Sequence, residues 1–414
     1  METSSLPLFD NVDDLNTQLQ PVLDSMHEVG ILVDCEILNS LSKELADMID
    51  EKENEVYRVI GHEFNLNSPK QIEEVLYTEL KLPPGKRIKT GFSTNEQALQ
   101  SLKDAHPIIP LLLAYRELYK LSSTYTEALP RAIKADGRIH STFRSDKTAT
   151  GRLSSSDPNL QNIPIRGEWG TKIRRAFIPS PGFILLSADY SQFEFRILAH
   201  FSGDAKLIGA FEKDIDIHKA TAAAIFHKSE NSITKDERRA AKTVNFGVLY
   251  GMSPHGLSEG LGITHSQAVR FIGDYFATYA MVKSYIEGLL KQAQEKGYVE
   301  TLSGFKREIP ELKSENSFIR SAGERMAVNF PIQGSAAEII KVAMVRIHRI
   351  LQDKNMKSRL VLQIHDELLL EVPEDERDEV QNIIRQEMEN NYSLRVPLRV
   401  EIAQGNNWTD MEKV

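Results

Sequence analysis

The segment Arg359–Val372, RLVLQIHDELLLEV, limits the fold more than any other part of the sequence. Val, Leu and Ile occupy most of its positions, which predicts two buried strands of one sheet. The polar residues His365, Asp366 and Glu367 interrupt this apolar run at its centre. Because burying an unpaired carboxylate is costly, we expect the polar break to have a chemical purpose.

The chain has 414 residues, of which 41% are hydrophobic and 26% charged, which is typical of a globular protein with two to three lobes or domains. No apolar run approaches the roughly 18 residues that span a bilayer. The acidic start, METSSLPLFDNVDDLN, has no signal-peptide pattern, so we expect no secretion and no membrane attachment. Cys35 is the only cysteine, which excludes a disulfide scaffold and a thiolate zinc site and fits a reducing compartment.

The net charge of −9 is unevenly distributed. Residues 131–180 contain ten Lys or Arg and four Asp or Glu, whereas residues 34–55 and 371–389 are acidic and helix-like. A basic stretch on an acidic chain can hold a polyanion at one face without coating the whole surface. The distribution therefore permits a nucleic-acid partner, and we interpret the acidic faces as solvated surface.

The hydrophobic pattern changes several times along the chain. Residues 36–60 predict a long amphipathic helix, and a helical pattern returns at about 95–129. Short strands and polar loops follow from residue 131, and residues 205–329 are again mostly helical. The last block, 330–414, contains a helix, the opening hairpin, an acidic helix and a closing strand. The sequence therefore predicts an α+β fold with a sheet-based centre and two helical lobes.

Two aspartates stand where apolar strands end. The strand FILLSA, residues 183–188, runs directly into Asp189, and Asp366 lies at the tip of the hairpin. Carboxylates on adjacent strands could share divalent cations, and such oxygen ligands suit Mg²⁺. Two ions about 3.5–4 Å apart can support in-line phosphoryl transfer. Taken alone, either residue could equally be an ordinary turn aspartate.

A second constellation lies in SITKDERRAAKTVNFGVLYGMS. Thr234 and Glu237 form a capping-box pattern and Gly251 is a stop signal, which predicts a helix at 235–250. One face of this helix carries Arg238, Lys242, Phe246 and Tyr250. This stripe fits a nucleotide whose phosphates contact the basic residues and whose base or sugar lies near the rings. An amphipathic helix with snorkelling basic residues and core aromatics is the alternative.

Polar loops supply a third group of candidates. Arg152 precedes DPNLQNIP, and Asn329 and Gln333 are spaced by four in NFPIQGSAAEII. Such side chains could read minor-groove acceptors or merely bond their own loops. Ser191 and Glu194 form another capping-box pattern, at the start of the helix after Asp189.

Together these segments resemble the polymerase domain of family A DNA polymerases, the bacterial DNA polymerase I type. The resemblance runs from about Pro21 to Trp408. The matching segments are TATGRLSSSDPNLQNIP (148–164), DYSQFEFR (189–196), RRAAKTVNFGVLYG (238–251), RMAVNFPIQGSAAEIIK (325–341), QIHDE (363–367) and GNNW (405–408).

The resemblance implies a right-hand polymerase architecture, with an antiparallel-sheet palm and a helical thumb and fingers. The expected parts are an N-terminal palm-associated segment 1–33, a thumb 34–134, a first palm part 135–205, fingers 206–329 and a second palm part 330–414. In this arrangement the opening hairpin belongs to the palm.

The resemblance also implies roles for individual residues. The expected metal-binding groups are the carboxylates of Asp189 and Asp366 and the backbone of Tyr190. The expected nucleotide-binding residues are Arg238, Lys242 and His218 at the triphosphate, Phe246, Tyr250 and Gln192 at the base and sugar, and Glu194 as a barrier to a ribose 2′-OH. Lys242 is also expected to protonate the leaving pyrophosphate. The expected DNA contacts are Arg152, Asn159, Gln161, Asn162, Arg325, Asn329, Gln333 and His365. Glu367 is either a helper near the metals or a solvated neighbour.

The implied activity is template-directed addition of dNTPs to a primer 3′-OH with release of pyrophosphate. Two Mg²⁺ ions, with Mn²⁺ as a substitute, are the expected cofactors, and primed DNA and dNTPs are the expected partners of a monomer. We expect a cytoplasmic, nucleoid-associated or virally encoded enzyme, without a proofreading nuclease in this chain. A single-subunit RNA polymerase-like enzyme and a catalytically inactive DNA-binding relative are the alternatives. Phe193 and Phe195 replace the family's usual aliphatic residues beside Glu194, which could shift this carboxylate.

Overall fold

A five-stranded antiparallel sheet contains the opening hairpin. Its strands lie in the order Arg359–Ile364, Glu367–Pro373, Phe183–Tyr190, Val400–Gly405 and Met411–Lys413. This computed structural model describes residues 12–85, 87–89, 91–165 and 167–414. Residues 1–11 of the predicted N-terminal segment 1–33 lie outside the described residues. The hairpin is confirmed, and Asp366 lies in the turn between its strands.

The sheet is buried by helices that pack against it. Leu368, Leu369 and Leu370 are successive residues of one strand, so they point to alternating faces, and all three are fully buried. Three helices contact the hairpin or its neighbouring strand, namely Val12–Val29, Ser317–Asp353 and Arg377–Glu389. Burial on both faces explains why the hairpin reads as a nearly continuous apolar run.

The first helical region contains the predicted amphipathic helix, which is confirmed. This helix spans Cys35–Ile60; Asp34 caps its first turn, and Gly61, in the left-handed conformation, ends it. The helical pattern predicted at about 95–129 is confirmed, but it is divided among the helices Glu96–Gln100, Ile108–Leu121 and Ala128–Ala132 and the π-helical turn Ser122–Thr126. The helix Pro69–Glu73 and the π-helical turn Glu74–Glu79 precede it. The break precedes Pro107, because a residue before proline disfavours helical geometry.

This region also has its own hydrophobic core. Buried side chains of Val56, Leu76, Leu99 and Leu112 belong to a cluster separate from the main core. Separate burial fits the sequence-based expectation that these helices form a lobe.

Small strands and short helices lie on both sides of the first helical region and of the long strand Phe183–Tyr190. The strands Ile31–Val33, Arg138–Ile139 and Phe177–Ile178 make one antiparallel sheet, Thr142–Arg144 pairs with Ser154–Ser156, and Arg87–Ile88 pairs with Gly91–Phe92. The helices are the 3₁₀ turn Leu160–Asn162 and the α-helices Glu168–Arg175 and Phe193–Ser202.

The second helical region follows the long strand. Its helices are Ala205–Glu212, Ile217–Phe226, Lys235–Leu249, Pro254–Leu261, His265–Thr278 and Ala280–Lys296. The predicted helix at 235–250 is confirmed, with reciprocal capping bonds between Thr234 and Glu237. A hairpin of Tyr298–Glu300 and Lys306–Glu308 ends the region, and short 3₁₀ turns lie at Glu230–Ser232, Pro310–Lys313 and Glu374–Glu376.

A single helix, Ser317–Asp353, links this region to the central sheet. It is longer than the sequence predicted, because it continues through Pro331 and crosses the expected boundary between residues 329 and 330. Most of its C-terminal half is buried, so packing compensates for the backbone hydrogen bond that proline removes. None of the helices within the described ranges is both long and apolar enough to cross a membrane.

Candidate active site

The two predicted metal-binding aspartates meet at one end of the central sheet. Asp189 is the second-last residue of its strand, and Asp366 lies in the adjoining turn. The backbone N–H of Tyr190 donates to the carbonyl oxygen of Asp366 at 3.2 Å, which ties the turn to the neighbouring strand. The apolar flanks of both strands therefore fix two carboxylates in one place, as the sequence predicted.

Further carboxylates crowd Asp189 from both sides. Glu367 and Glu401 lie directly opposite it on the two neighbouring strands. Asp189 remains accessible to solvent, but the protein atoms around it reduce its hydration. This partial desolvation, together with the charges of Glu367, Asp366 and Glu401, raises the pKa of Asp189 to about 7. Burial also raises the pKa of Asp366, and the charge of Arg152 opposes that shift. The excess of negative charge favours a bound cation.

These carboxylates fit a hard divalent cation. Within residues 12–414 as described, no group of three or more His, Cys, Asp or Glu side chains forms a preassembled metal cage. Mg²⁺ does not require one, since it commonly takes one or two protein carboxylates together with water and substrate phosphates. The donor set of Asp189 and Asp366 therefore suits Mg²⁺ better than a transition metal that prefers His or Cys.

Glu367 is held by protein groups, so it is not merely a solvated neighbour. Its Oε1 accepts hydrogen bonds from the Ser187 hydroxyl at 2.6 Å and from Trp408 Nε1 at 3.2 Å. Arg174 Nη1 lies 4.0 Å from Oε2, and its guanidinium lies 3.9 Å from the centroid of the Trp408 ring. Glu367 is thus fixed beside Asp189 by residues from several segments.

Glu194 does not cap the helix after Asp189, so the capping-box prediction for Ser191 and Glu194 is wrong. The N-cap of helix Phe193–Ser202 is Gln192, in the left-handed conformation and without a side-chain capping bond. Glu194 instead accepts a hydrogen bond from the Tyr250 hydroxyl at 2.7 Å and forms an ion pair with Arg152. It is 5% exposed, and burial raises its pKa against the opposing effects of Arg152 and Tyr250. Tertiary partners therefore outcompete the local cap.

The two unusual phenylalanines pack beneath Glu194. Phe193 stacks on Tyr190 with ring centroids 4.1 Å apart, and Phe195 meets Phe246 edge-on at 4.9 Å. Both phenylalanines are buried. Their bulk is accommodated in the core, while Glu194 keeps its bond to Tyr250.

The helix Lys235–Leu249 and its C-cap Tyr250 carry the predicted stripe, and Lys242, Phe246 and Tyr250 line a cleft together with the sheet end. Phe246 and Tyr250 stack with centroids 5.8 Å apart, and Lys242 Nζ lies 5.7 Å from the Phe246 ring centroid. Arg238 Nε donates to Asp216 Oδ2 at 2.6 Å, and about half of the Arg238 side chain is exposed. The order of cation, cation, aromatic and aromatic is thus kept in space.

His218 lies next to this stripe, with its ring centroid 5.9 Å from that of Phe246. It is 5% exposed, and burial, aided by the nearby charges of Lys242 and Arg238, lowers its pKa to about 4 despite the opposing charge of Asp216. The ring is therefore neutral at physiological pH. Asn245 Nδ2 lies 2.9 Å from His218 Nδ1.

One cleft of about 360 Å³ joins the sheet end to the helix stripe. It is lined by Arg152, Asp189, Tyr190, Gln192, Phe193, Glu194, Phe195, His218, Lys242, Phe246, Tyr250, His365 and Asp366. The side-chain oxygen of Gln192 is buried without a hydrogen-bond partner. The cleft brings together carboxylates, a lysine, a neutral histidine and aromatic rings, which is the chemistry that a metal-bound nucleotide requires.

The polar loop lies next to the hairpin turn rather than in the cleft. Gln161 Nε2 donates to the carbonyl oxygen of Gln363 at 3.1 Å, and Gln363 Nε2 donates to that of His365 at 2.5 Å. Asn159 caps the turn 160–162, and the Asn162 carbonyl accepts from the Tyr125 hydroxyl. These residues therefore support the turn that carries Asp366.

The remaining predicted DNA contacts lie on the helix Ser317–Asp353. Arg325 lies against Gly251 at the end of the stripe helix, and Arg325 is exposed. Asn329 is half-buried, and its side-chain oxygen has no hydrogen-bond partner. Gln333 is half-buried one helical turn further on. Neither these residues nor Arg238 line the 360 Å³ cleft, so they form its surroundings.

Several site residues were missed by sequence reasoning. Asp216 holds Arg238, Asn245 contacts His218, Glu401 lies beside Asp189, and Arg174 packs on Trp408. Only Asp216 had a local signal, since it caps the helix Ile217–Phe226. The other contacts join distant segments, so no spacing rule could find them.

Comparisons with known proteins agree with this geometry. Residues 35–410 match the model of DNA polymerase family A. The chain is 46% identical over 402 residues to the DNA polymerase I of Caldicellulosiruptor bescii, covering 97% of this chain and 47% of that protein. It is also 46% identical over 400 residues to the DNA polymerase I of Bacillus subtilis, covering 96% of this chain and 46% of that protein.

A solved structure is similar over nearly the whole chain. It is the POL domain of Pol1 from M. smegmatis in complex with DNA primer-template and dNTP, with a TM-score of 0.91 and 44% identity. The match covers 95% of this chain and 70% of that one. The present chain spans about half the length of the curated relatives described above.

Proposed function

The chain belongs to DNA polymerase family A, and we propose that it is a template-directed DNA polymerase. In the proposed reaction the primer 3′-oxygen attacks the α-phosphorus of a dNTP. The bond from the α-phosphorus to the bridging oxygen breaks, and pyrophosphate leaves. The fold is the α+β right-hand architecture, shared with the POL domain in the solved complex.

The observation that carries this proposal is that carboxylates line one side of the cleft, while a cation and a neutral histidine line the other. Asp189 and Asp366 lie on its sheet side, while Lys242 and His218 lie on its helix side. A nucleoside triphosphate with a divalent cation presents both the negative charge and the positive charge that this arrangement needs. A cleft built only to bind duplex DNA would have no use for a crowded pair of carboxylates.

On the nucleotide side, we assign Arg238, Lys242 and His218 to the triphosphate. Arg238 is held at the end of the stripe by Asp216 and would exchange this partner for phosphate oxygens. Lys242 is our candidate for donating a proton to the leaving pyrophosphate. Arg238 and Lys242 would neutralise charge that develops as pyrophosphate departs, and the neutral His218 would donate a hydrogen bond to it.

The base and sugar would lie at the aromatic end of the cleft, lined by Phe246, Tyr250 and Gln192. To Glu194, which Tyr250 holds, we assign the exclusion of a ribose 2′-OH. Its burial and fixed partner support this role, because a rigid group discriminates better than a mobile one.

Family membership implies a divalent-metal requirement in general, and we propose two Mg²⁺ ions, replaceable by Mn²⁺. Asp189 and Asp366, with the Tyr190 backbone, would hold them. When bound, the ions would activate the attacking oxygen and stabilise the leaving one. Glu367 would act as a fixed helper that keeps the local negative charge high.

On the DNA side, we assign primer and template contacts to the residues around the cleft. These are Arg152, Asn159, Gln161, Asn162, Arg325, Asn329, Gln333 and His365. Arg152 would have to leave its ion pair with Glu194 to reach the primer. We assign the thumb to 34–134, the fingers to 206–329 and the palm to the intervening and final segments, with segment 1–33 associated with the palm.

We propose a monomer that acts on primed DNA in the cytoplasm or nucleoid. The experiment that tests the function is extension of a labelled primer on a template with Mg²⁺, with dNTPs and rNTPs supplied in parallel. Efficient use of dNTPs and poor use of rNTPs is expected. Efficient use of rNTPs with rejection of dNTPs would favour the RNA polymerase-like alternative, and DNA binding without extension would favour the inactive relative.

A further inference from the structure

A chain of buried hydrogen bonds leads from the helical region to His218. The Thr221 hydroxyl contacts the Tyr279 hydroxyl at 3.2 Å and donates to Asn245 Oδ1 at 3.0 Å. Asn245 Nδ2 then lies 2.9 Å from His218 Nδ1. Thr221, Asn245 and Tyr279 are each at most 3% exposed.

The direction of this chain follows from the orientation of the Asn245 amide, whose oxygen faces the Thr221 hydroxyl and whose nitrogen faces His218. An amide oxygen can only accept, so in this orientation it takes the Thr221 hydrogen. An amide nitrogen can only donate, so His218 Nδ1 must be the acceptor and carry no hydrogen. A neutral imidazole has one hydrogen, which must then lie on Nε2.

We propose that Asn245 is a positioning residue that sets the tautomer of His218, so that Nε2–H donates to a phosphate oxygen of the incoming nucleotide. This inference rests on the proposed function, because it deepens the role given to His218 at the triphosphate. Asn245 itself would touch no substrate. Thr221 would fix the orientation of the Asn245 amide through its hydrogen bond, and Tyr279 would in turn fix the Thr221 hydroxyl.

Packing supports the same conclusion. Phe195 meets the His218 ring edge-on at 5.5 Å and 87°, and Phe246 lies 5.9 Å away on another side. The ring is therefore held in orientation by aromatic neighbours, while the amide decides which nitrogen is protonated. His218 lines the cleft beside Lys242, so a donor here faces the same ligand as the lysine.

Charged neighbours explain why a neutral donor is needed. Arg238 and Lys242 face His218 from the neighbouring helix, and Asp216 caps its own helix. A third cation packed against these two would be repelled before the nucleotide arrived. A neutral Nε2–H supplies a hydrogen bond without this repulsion.

The first test needs no nucleotide. In ¹⁵N-histidine-labelled free protein at pH 7.5, ring nitrogen shifts report which nitrogen carries hydrogen, and a His218→Gln variant assigns the signal. We expect a protonated Nε2 and an unprotonated Nδ1 in the wild type. A hydrogen on Nδ1 would overturn the proposal, even if the protein extends primers normally.

The second test uses Asn245→Asp, which keeps the size of the side chain but leaves only acceptors. A carboxylate here draws hydrogen to Nδ1 and raises the pKa of His218, so Nε2 loses its hydrogen above the new pKa and regains it below. The quantity to measure is the ratio of the variant KM for dNTP to the wild-type KM at the same pH. This ratio should be about ten at pH 8 and should approach one near pH 6. Asn382→Asp adds the same charge on the exposed helix Arg377–Glu389 and should change nothing. A ratio that does not vary with pH would contradict the proposal.

A double variant separates positioning from simple structural damage. If Asn245 acts through His218, then His218→Gln combined with Asn245→Asp should have no larger KM than His218→Gln alone. Additive penalties would show that Asn245 acts on the cleft by another route and would overturn the proposal. Failure of the wild-type protein to extend primers would refute the proposed function, while the nitrogen shifts would still decide the tautomer.

Discussion

Asp189 lies directly opposite Glu367 on the neighbouring antiparallel strand, so two carboxylates share one face at the end of the central sheet. Glu401 lies opposite Asp189 on its other side. A row of three acidic residues across three strands is unfavourable unless something positive lies over it. Lys413 pairs with Glu401 and Arg174 lies 4.0 Å from Glu367, so the two outer charges are partly offset. The remaining repulsion is at Asp189, where we propose that the cations bind.

The first prediction concerns this repulsion. The pKa of Asp189 is raised from 3.8 to about 7, so the folded protein binds this proton more tightly than the unfolded chain does. Stability from this group is therefore present at low pH and is lost as the pH rises through this range. In EDTA, Asp189→Asn should increase the free energy of unfolding at pH 8 and have little effect near pH 5, as measured by urea denaturation.

The matched control is Asp378→Asn, an exposed carboxylate that pairs with Arg377. It should give no gain at pH 8. An equal gain from Asp189→Asn at both pH values would show that the crowding of Asp189 is not electrostatic.

The second prediction concerns the contact between Glu194 and Tyr250. Glu194→Ala removes the buried side chain proposed to exclude a 2′-OH, so discrimination against rNTPs should fall by about tenfold or more. Glu194→Gln keeps the volume and an acceptor for the Tyr250 hydroxyl, so it should stay closer to wild type. The measurement is the ratio of kcat/KM for dNTP and rNTP, and unchanged ratios in both variants would refute the gating role.

The third prediction addresses the phenylalanines beside Glu194. Phe193 and Phe195 pack on aromatic neighbours in the core while Glu194 remains bonded to Tyr250. Phe193→Ile should therefore change the ratio of kcat/KM for dNTP and rNTP by less than about threefold. Replacing one buried apolar side chain by another acts mainly on the stability of the fold. A large loss of discrimination would show that the bulk of Phe193 sets the position of Glu194.

The fourth prediction concerns a buried ion pair that joins the small three-stranded sheet to the central five-stranded sheet. Arg138 and Glu371 are 10% and 1% exposed, and their atoms Nη2 and Oε2 are 2.5 Å apart. Burial raises the pKa of Glu371, but hydrogen bonds from Arg138 and Ser180 outweigh it and lower the pKa overall. Arg138→Leu should therefore reduce the free energy of unfolding by about 1.5–3 kcal/mol at pH 7, because Glu371 loses its charge-assisted hydrogen bonds to Arg138 but keeps Arg359 and Ser180 as partners.

This loss should shrink as the pH falls through the pKa of Glu371, since the stabilising ion pair exists only while the carboxylate is charged. Arg131→Leu is the control, because Arg131 is 80% exposed and lies 3.8 Å from Glu127. An exposed pair contributes about 0–1 kcal/mol. Equal losses from both variants would contradict the importance of burial.

The parts of the site that sequence reasoning predicted are those with local physical causes. Apolar flanks identified the strand before Asp189 and the turn at Asp366, and the Thr234 and Glu237 pattern located the stripe helix. In each case the residues that determine the element lie within a few positions of it. Propensity, capping and alternation are sufficient under those conditions.

The parts that were missed depend on contacts between distant residues. Ser191 and Glu194 satisfy a capping pattern, but Tyr250 and Arg152 hold the carboxylate from 56 and 42 residues away. Asn245 reaches His218 across 27 residues. The helix Ser317–Asp353 passes through Pro331 because tertiary burial outweighs a local helix-breaking signal. The boundaries of the thumb, palm and fingers stay a prediction.

The central claim is that Asp189 and Asp366 support phosphoryl transfer through bound cations. The most direct test is single-turnover incorporation of one correct dNTP by Asp366→Asn, with Asp353→Asn on the exposed end of a helix as the control. We predict that incorporation slows by about 10³-fold or more, because bound cations would supply several kcal/mol to the transition state. The affinity for primed DNA should change by less than about threefold, because the proposed DNA contacts are made by other residues. Incorporation by Asp366→Asn at the wild-type rate would contradict the account.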